Sequence, residues 1–117
     1  MTTDNAAASG LADQECIPCK GGVPPLEAGQ IAPLLEQLQG WQVVEQHHLT
    51  KDYTFPDFAE ALAFVNRVGE LAETVGHHPD IFLAWGKVRM DIWTHKIKGL
   101  SESDFVFSAK ADRLFTS

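Results

Sequence analysis

Basic residues are scarce in this chain: nine Lys and Arg stand against sixteen Asp and Glu in 117 residues, a formal net charge of −7. A phosphate backbone selects dense Lys and Arg, so this balance argues against nucleic acid as a partner. Lys87, Arg89, Lys96 and Lys98 form a local basic cluster. It reads as solvated surface, or as an attraction for a small anionic or oxygen-rich ligand. Cysteine is scarcer still. Cys16 and Cys19 are too few for a disulfide framework and agree with a reducing, cytoplasmic setting. No run reaches the ~18 to 20 apolar residues of a membrane-spanning helix, and Met1 to Leu11 lack the basic and apolar parts of a secretory leader. Gly-x-Gly-x-x-Gly, Gly-x4-Gly-Lys and Gly-x-Ser-x-Gly are absent too, which removes support for nucleotide chemistry and the familiar serine hydrolases.

What remains is an ordinary folding composition, with 44% apolar and 21% charged residues. The length fits a single core. Residues 1–25 lack hydrophobic periodicity and read as a mobile or surface-draped arm, which leaves 26–117 as one domain. Ile31, Leu34, Leu35 and Leu38 share a helical stripe and Gly40 offers a stop, so a first helix is expected at about 30–39, begun late because Pro33 resists a helix interior.

Residues 41–45 and 49–55 read as a hairpin connected around Gln46-His47-His48. Asp57 and Glu60 open a second helix over 57–75, its buried stripe expected at Phe58, Leu62, Val65, Val68, Ala72 and Val75, with Gly76 as its stop. Residues 81–85 and 88–94 form a second hairpin turning at Gly86-Lys87. There Val88, Met90 and Ile92 share one face, and Arg89, Asp91, Trp93 and His95 the other. Ser101 to Asp104 caps a third helix whose apolar residues lie on more than one side, a pattern suited to packing on a partner chain. The expected fold class is α+β, in the order αββαββα, with a four-stranded antiparallel sheet and helices on one face.

Chemistry has to be sought among five histidines. His47-His48 falls at the first hairpin connection and reads as a solvated turn. His77-His78 is wedged between a helix-ending Gly76 and Pro79, which fixes the backbone and fans the two rings apart. Glu73 lies one helical turn before His77, close enough to orient an imidazole, although such pairs are as often plain surface contacts. His95 follows Trp93 at a strand end, and Asp104 sits in the first turn of the last helix. Two imidazoles at a helix end, one at a strand end and flanking Trp85 and Trp93 suggest a pocket for a flat heteroaromatic ligand with acid-base groups at its edge. Zinc is disfavoured: adjacent histidines do not easily aim at one ion, and Cys16-x2-Cys19 lacks a second tight pair.

The pattern Glu73-x3-His77-His78-Pro79-x5-Trp85-x9-His95-x8-Asp104 resembles the hallmark of the pterin-4a-carbinolamine dehydratase family. The likeness extends over nearly everything after Lys20, through Gly40-Trp41, Phe55-Pro56-Asp57-Phe58, Thr94-His95-Lys96 and Gly99-Leu100. Ile81 and Trp85 depart from the aromatic residues usual in animal relatives, which leaves the pterin side-chain preference open. The resemblance implies the αββαββα fold and a lyase that dehydrates 4a-hydroxytetrahydropterin to quinonoid dihydropterin, with neither metal nor organic cofactor. It further implies His77 and His95 as proton-transfer groups, and His78, Pro79, Trp85 and Trp93 as substrate contacts. Glu73 and Asp104 would orient the rings, in a homodimer or homotetramer. Relatives also suggest two alternatives, a noncatalytic dimerisation or coactivator module and a pterin-processing step linked to molybdopterin.

Overall fold

Alternation along the strands decides where the helices go. In β4 (Lys87–Ile92) Val88, Met90 and Ile92 are buried while Lys87 and Arg89 are exposed, and in β2 (His48–Thr54) Leu49 and Tyr53 are the buried pair. The computed structural model describes residues 10–14 and 24–115. Around those strands lie α1 (Ala28–Leu35), β1 (Gln42–Val44), α2 (Phe58–Val75), β3 (Asp80–Ala84), a 3-10 turn (His95–Ile97) and α3 (Glu102–Leu114). This is the expected αββαββα order. The sheet is antiparallel throughout, in the order β1-β2-β4-β3. Its buried face meets Phe64 and Val68 of α2 and Phe105 and Phe107 of α3 in one core. No helix among the described residues is long and apolar enough to cross a membrane.

Several expectations shift. The first helix starts earlier than residue 30 because Glu27 closes a capping box with Gln30, and it ends at Leu35. Pro33 lies inside it, where the missing N–H forfeits only one bond, to Gly29 near the helix start. The second hairpin turns at Trp85-Gly86, since Ala84 already pairs with Lys87. A side chain at Gly86 would come within 2.9 Å of the Phe55 carbonyl, so this corner needs glycine. Along α2 the buried stripe is Ala61, Phe64, Val68 and Ala72, rotated from the expected one. Phe58 and Leu62 stay 42% and 40% exposed. Val68 and Ala72 were expected there; Ala61 and Phe64 were not, and the two small alanines let the helix lie close on the sheet.

The two-sided pattern of the last helix is satisfied inside the chain. Ser103 to Ser108 and Ala111 are all buried, so α3 has no broad apolar face left for a partner. Part of its cover comes from residues 10–14 of the expected arm: Leu11 and Ala12 are buried, Lys110 Nζ donates to the Ala12 carbonyl at 2.9 Å, and Arg113 pairs with Asp13. Cys16 and Cys19 lie outside the described residues.

Asp112 on α3 ties the helix to the first hairpin. Its carboxylate accepts from Trp41 Nε1 at 3.0 Å, Lys51 Nζ at 2.9 Å and Tyr53 OH at 2.5 Å. Burial, then the neighbouring Asp112 charge and hydrogen bond, push the Tyr53 phenol well above its usual range. A phenol held protonated only in the folded chain supports folding below its unfolded pKa of ~10 and loses that contribution as pH rises above it. Stability should therefore fall above about pH 10, and Tyr53→Phe should flatten the fall. Urea midpoints on either side of that pH test this, and equal slopes in both proteins would contradict it.

Candidate active site

The site begins where α2 stops. Gly76 takes a left-handed conformation (φ 71°), its N–H and that of His77 both donate to the Ala72 carbonyl, and the chain leaves the helix at His77. Pro79 prevents helix continuation, and β3 follows at once. The second approach comes from β4. After Ile92 the strand does not stay regular to His95. Instead Thr94 and Gly99 bridge the neck of a small loop (Thr94 N to Gly99 O 2.8 Å), and His95 opens the 3-10 turn within it. The start of α3 closes the set with Asp104.

Asp104 is fully buried, and both of its carboxylate oxygens have hydrogen-bond partners. Oδ1 lies 2.6 Å from His77 Nε2, and Oδ2 accepts from Thr94 Oγ1 and from the Ser101 N–H, both at 2.8 Å. An ionised carboxylate has no proton to give, so against one His77 presents an N–H on Nε2, and Nδ1 is the ring nitrogen left for other contacts. Thr94 spends its hydroxyl proton on Asp104, so the 2.8 Å contact between Thr94 and Ser101 has Ser101 as donor. The Ser101 oxygen in turn accepts the Asp104 N–H in the capping box. One residue thus caps a helix, pins a loop neck and fixes a histidine tautomer.

His78 lies outside this network and is more exposed. Its Nε2 sits 2.6 Å from Glu73 Oε2, so Glu73 orients His78 and not the His77 expected from the one-turn spacing. The chain leaves the helical path at Gly76, and the four-residue rule no longer applies beyond it. His95 is exposed, and its one ring contact among the described residues is Trp93, at 4.5 Å between centroids.

His77, His78, Trp93, Thr94, His95, Lys96 and Gly76 line one open cleft of about 180 Å³. That is smaller than the ~300 to 1,000 Å³ of drug-sized sites and suits the edge of a flat ring. A larger hollow of about 840 Å³, lined among others by Leu38, Lys51 and Asp112, contains no histidine. Size alone would mislead here.

Two expected substrate contacts are not in the cleft. Pro79 shapes the chain behind it. Trp85 sits at the β3–β4 turn, 68% exposed, with the whole of β3 between it and Pro79, roughly 17 Å at ~3.3 Å per residue. Conversely, Thr94 and Ser101 were missed as site residues, whereas Lys96, read as part of a basic cluster open to a small anionic ligand, does line the cleft. The Ser101-to-Asp104 capping signature was the available signal for Ser101, because a cap carboxylate always faces its own N-cap. His47-His48 is not a free solvated turn either: both rings lie against Trp93, at 5.0 and 5.9 Å.

The sequence pattern described as Pterin 4 alpha carbinolamine dehydratase matches residues 24–114, which span every element of this site. The chain belongs to the pterin-4a-carbinolamine dehydratase family. Relatives named for that activity include one from Rubrobacter xylanophilus, 59% identical over 106 residues (91% of this chain, 99% of the relative). Another, from Alkaliphilus metalliredigens, is 52% identical over 104 residues (88% and 94%). Among solved structures, a transcriptional coactivator/pterin dehydratase from Brucella melitensis superposes with a TM-score of 0.73 at 30% identity, covering 77% of this chain and 97% of that one. The dehydratase fold, with its four-stranded antiparallel sheet, is therefore the fold seen here.

Removing the Asp104 carboxylate would strand the Ser101 N–H and the Thr94 hydroxyl and undo a helix cap. Asp104→Ala should lower unfolding stability by about 2 to 4 kcal/mol, read from denaturant midpoints. A loss within about 0.5 kcal/mol, usual for surface substitutions, would mean that the network carries little.

Proposed function

We propose that the chain removes water from a 4a-hydroxytetrahydropterin, giving the quinonoid dihydropterin, and so recycles the pterin cofactor of aromatic amino acid hydroxylases in the cytoplasm. The observation that carries this reading is the convergence of His77, His78 and His95 on one cleft, with the buried, hydrogen-bonded Asp104 behind His77. Family membership supplies the substrate class.

Dehydration breaks the C4a–O bond and the N5–H bond. The hydroxyl leaves as water after taking one proton, and N5 gives one up. Imidazole serves both steps near neutral pH. His77 offers Nδ1, its other nitrogen being held by Asp104. His95 has both nitrogens free among the described residues. We assign the two proton transfers to this pair, one ring donating and the other accepting, so that each turnover conserves protons. His78, tethered by Glu73 at the rim, hydrogen-bonds the polar edge of the pterin, and Trp93 packs on its ring.

Self-association belongs to the same reading, with a sheet edge as its surface. β3 is an edge strand carrying Phe82, 53% exposed, with Trp85 at its end. An edge strand with exposed aromatic residues is a template for pairing. Antiparallel pairing with a second copy about Phe82 would set Asp80 opposite Ala84 and bring the partner's Trp85 toward Pro79, returning that side chain to the neighbourhood of the cleft.

Purified protein should accelerate the loss of freshly generated 4a-hydroxytetrahydropterin, followed by its ultraviolet absorbance, and His77→Ala and His95→Ala should each lower turnover by ~100-fold or more. Wild-type rates in both variants would remove the mechanism. Phe82→Lys should shift the assembly toward monomer in sedimentation, and an unchanged sedimentation coefficient would rule out the β3 edge.

A further inference from the structure

The first hairpin of this chain ends in a turn that ordinary residues adopt reluctantly. Glu45 and Gln46 both sit in the left-handed region, with φ of 54° and 55°, where asparagine and glycine are the usual occupants. The turn closes with His47 N donating to the Val44 carbonyl at 2.8 Å, and Val44 pairs with His48 across the hairpin. Its product is a pair of half-buried imidazoles delivered onto one indole. Trp93 lies 5.0 Å from His47 and 5.9 Å from His48, and 4.5 Å from His95. The two turn rings also engage each other, Nδ1 to Nδ1 at 3.1 Å, so that one donates and the other accepts. That contact locks their mutual orientation and makes them a single block. Trp93 and His95 both line the cleft, whereas His47 and His48 do not.

We propose that His47 and His48 are positioning residues that fix Trp93 as the aromatic wall of the cleft and, through it, the placement of His95. A chain reversal alone would be served by glycine without steric cost. Here the unfavourable turn holds two rings against the one large side chain that a flat ligand would pack on. Holding that wall still matters because binding a planar ring in one orientation depends on surfaces that do not move with it. The inference rests on the dehydratase reading for its kinetic readout only.

The test compares wild type with the double variant His47→Ala/His48→Ala, with Trp93→Ala as the reference for a lost wall. In carbon-proton correlation spectra the His95 Cε1–H signal carries the ring-current shift of Trp93. It should move at least halfway from its wild-type position to its position in Trp93→Ala. In the same double variant, KM for the 4a-hydroxytetrahydropterin should rise roughly 10-fold with kcat little changed, short of the ~100-fold that displacing a reacting group can bring. Glu45→Gly, which keeps the turn and relieves the steric cost at one of its two left-handed positions, should match wild type in both readouts. A residue that merely covers the indole would change thermal stability and leave both untouched.

An unmoved His95 signal overturns the proposal, and so does a moved signal with unchanged KM. If wild type turns over no pterin, the signal alone decides: a shift keeps the positioning role while the dehydratase reading falls. Should the double variant not fold, His47→Ala provides the same readouts.

Discussion

A carboxylate with no solvent exposure is an expensive object unless every lone pair it turns inward has a partner. Asp104 offsets that cost by pairing both oxygens, through three contacts drawn from three separate parts of the chain: a ring nitrogen after α2, a hydroxyl after β4 and the backbone N–H at the start of α3. None of the three can be displaced without leaving a buried charge or donor unpaired. The same requirement that starts the last helix therefore fixes the height of the His95 loop and the tautomer of His77. Stability and chemistry share one residue, which ties the site's geometry to the fold instead of to flexible side chains.

The sheet supplies the distances. α2 delivers His77 and His78 at its C-terminal end, one residue past a left-handed glycine, and β3 departs from there. β4 returns antiparallel to β3 and brings Trp93, Thr94 and His95 back to the same end. A hairpin with a two-residue turn closes that circuit in a short stretch of chain, and the turn itself, with Trp85, is consigned to the far end of the sheet. Helices on the buried face leave the cleft open at the sheet's margin, where a flat ligand could enter edge-on.

How legible this was in the sequence varied with the kind of signal. Periodicity and caps carried the fold: Asp57, Gly76 and the Ser101-to-Asp104 signature mark helix ends that the structure reproduces, because a cap depends on neighbours within a few residues. The face of α2 was read rotated: Val68 and Ala72 are buried as expected, while Ala61 and Phe64 pack where Phe58 and Leu62 had been expected. The partner of Glu73 was misassigned because helical spacing was carried past the helix end. Trp85 and the His47-His48 pair were misplaced for a common reason. Which strand end lies near which is a tertiary fact, and the register that puts Val44 opposite His48 and Ala84 opposite Lys87 is set by turns whose exact residues were off by one. Tight local motifs were readable. Long-range adjacency was not.

The site depends on Asp104 holding His77 with a proton on Nε2, which leaves Nδ1 as the ring nitrogen open to the cleft. Long-range proton-nitrogen correlation spectra of nitrogen-15-labelled protein, recorded where the ring is neutral, read this directly, because protonated and bare ring nitrogens resonate in separate regions. A single His77 tautomer with Nε2 protonated is expected, lost in Asp104→Ala. A His77 protonated on Nδ1, or one averaging between the two forms in the intact protein, would contradict it.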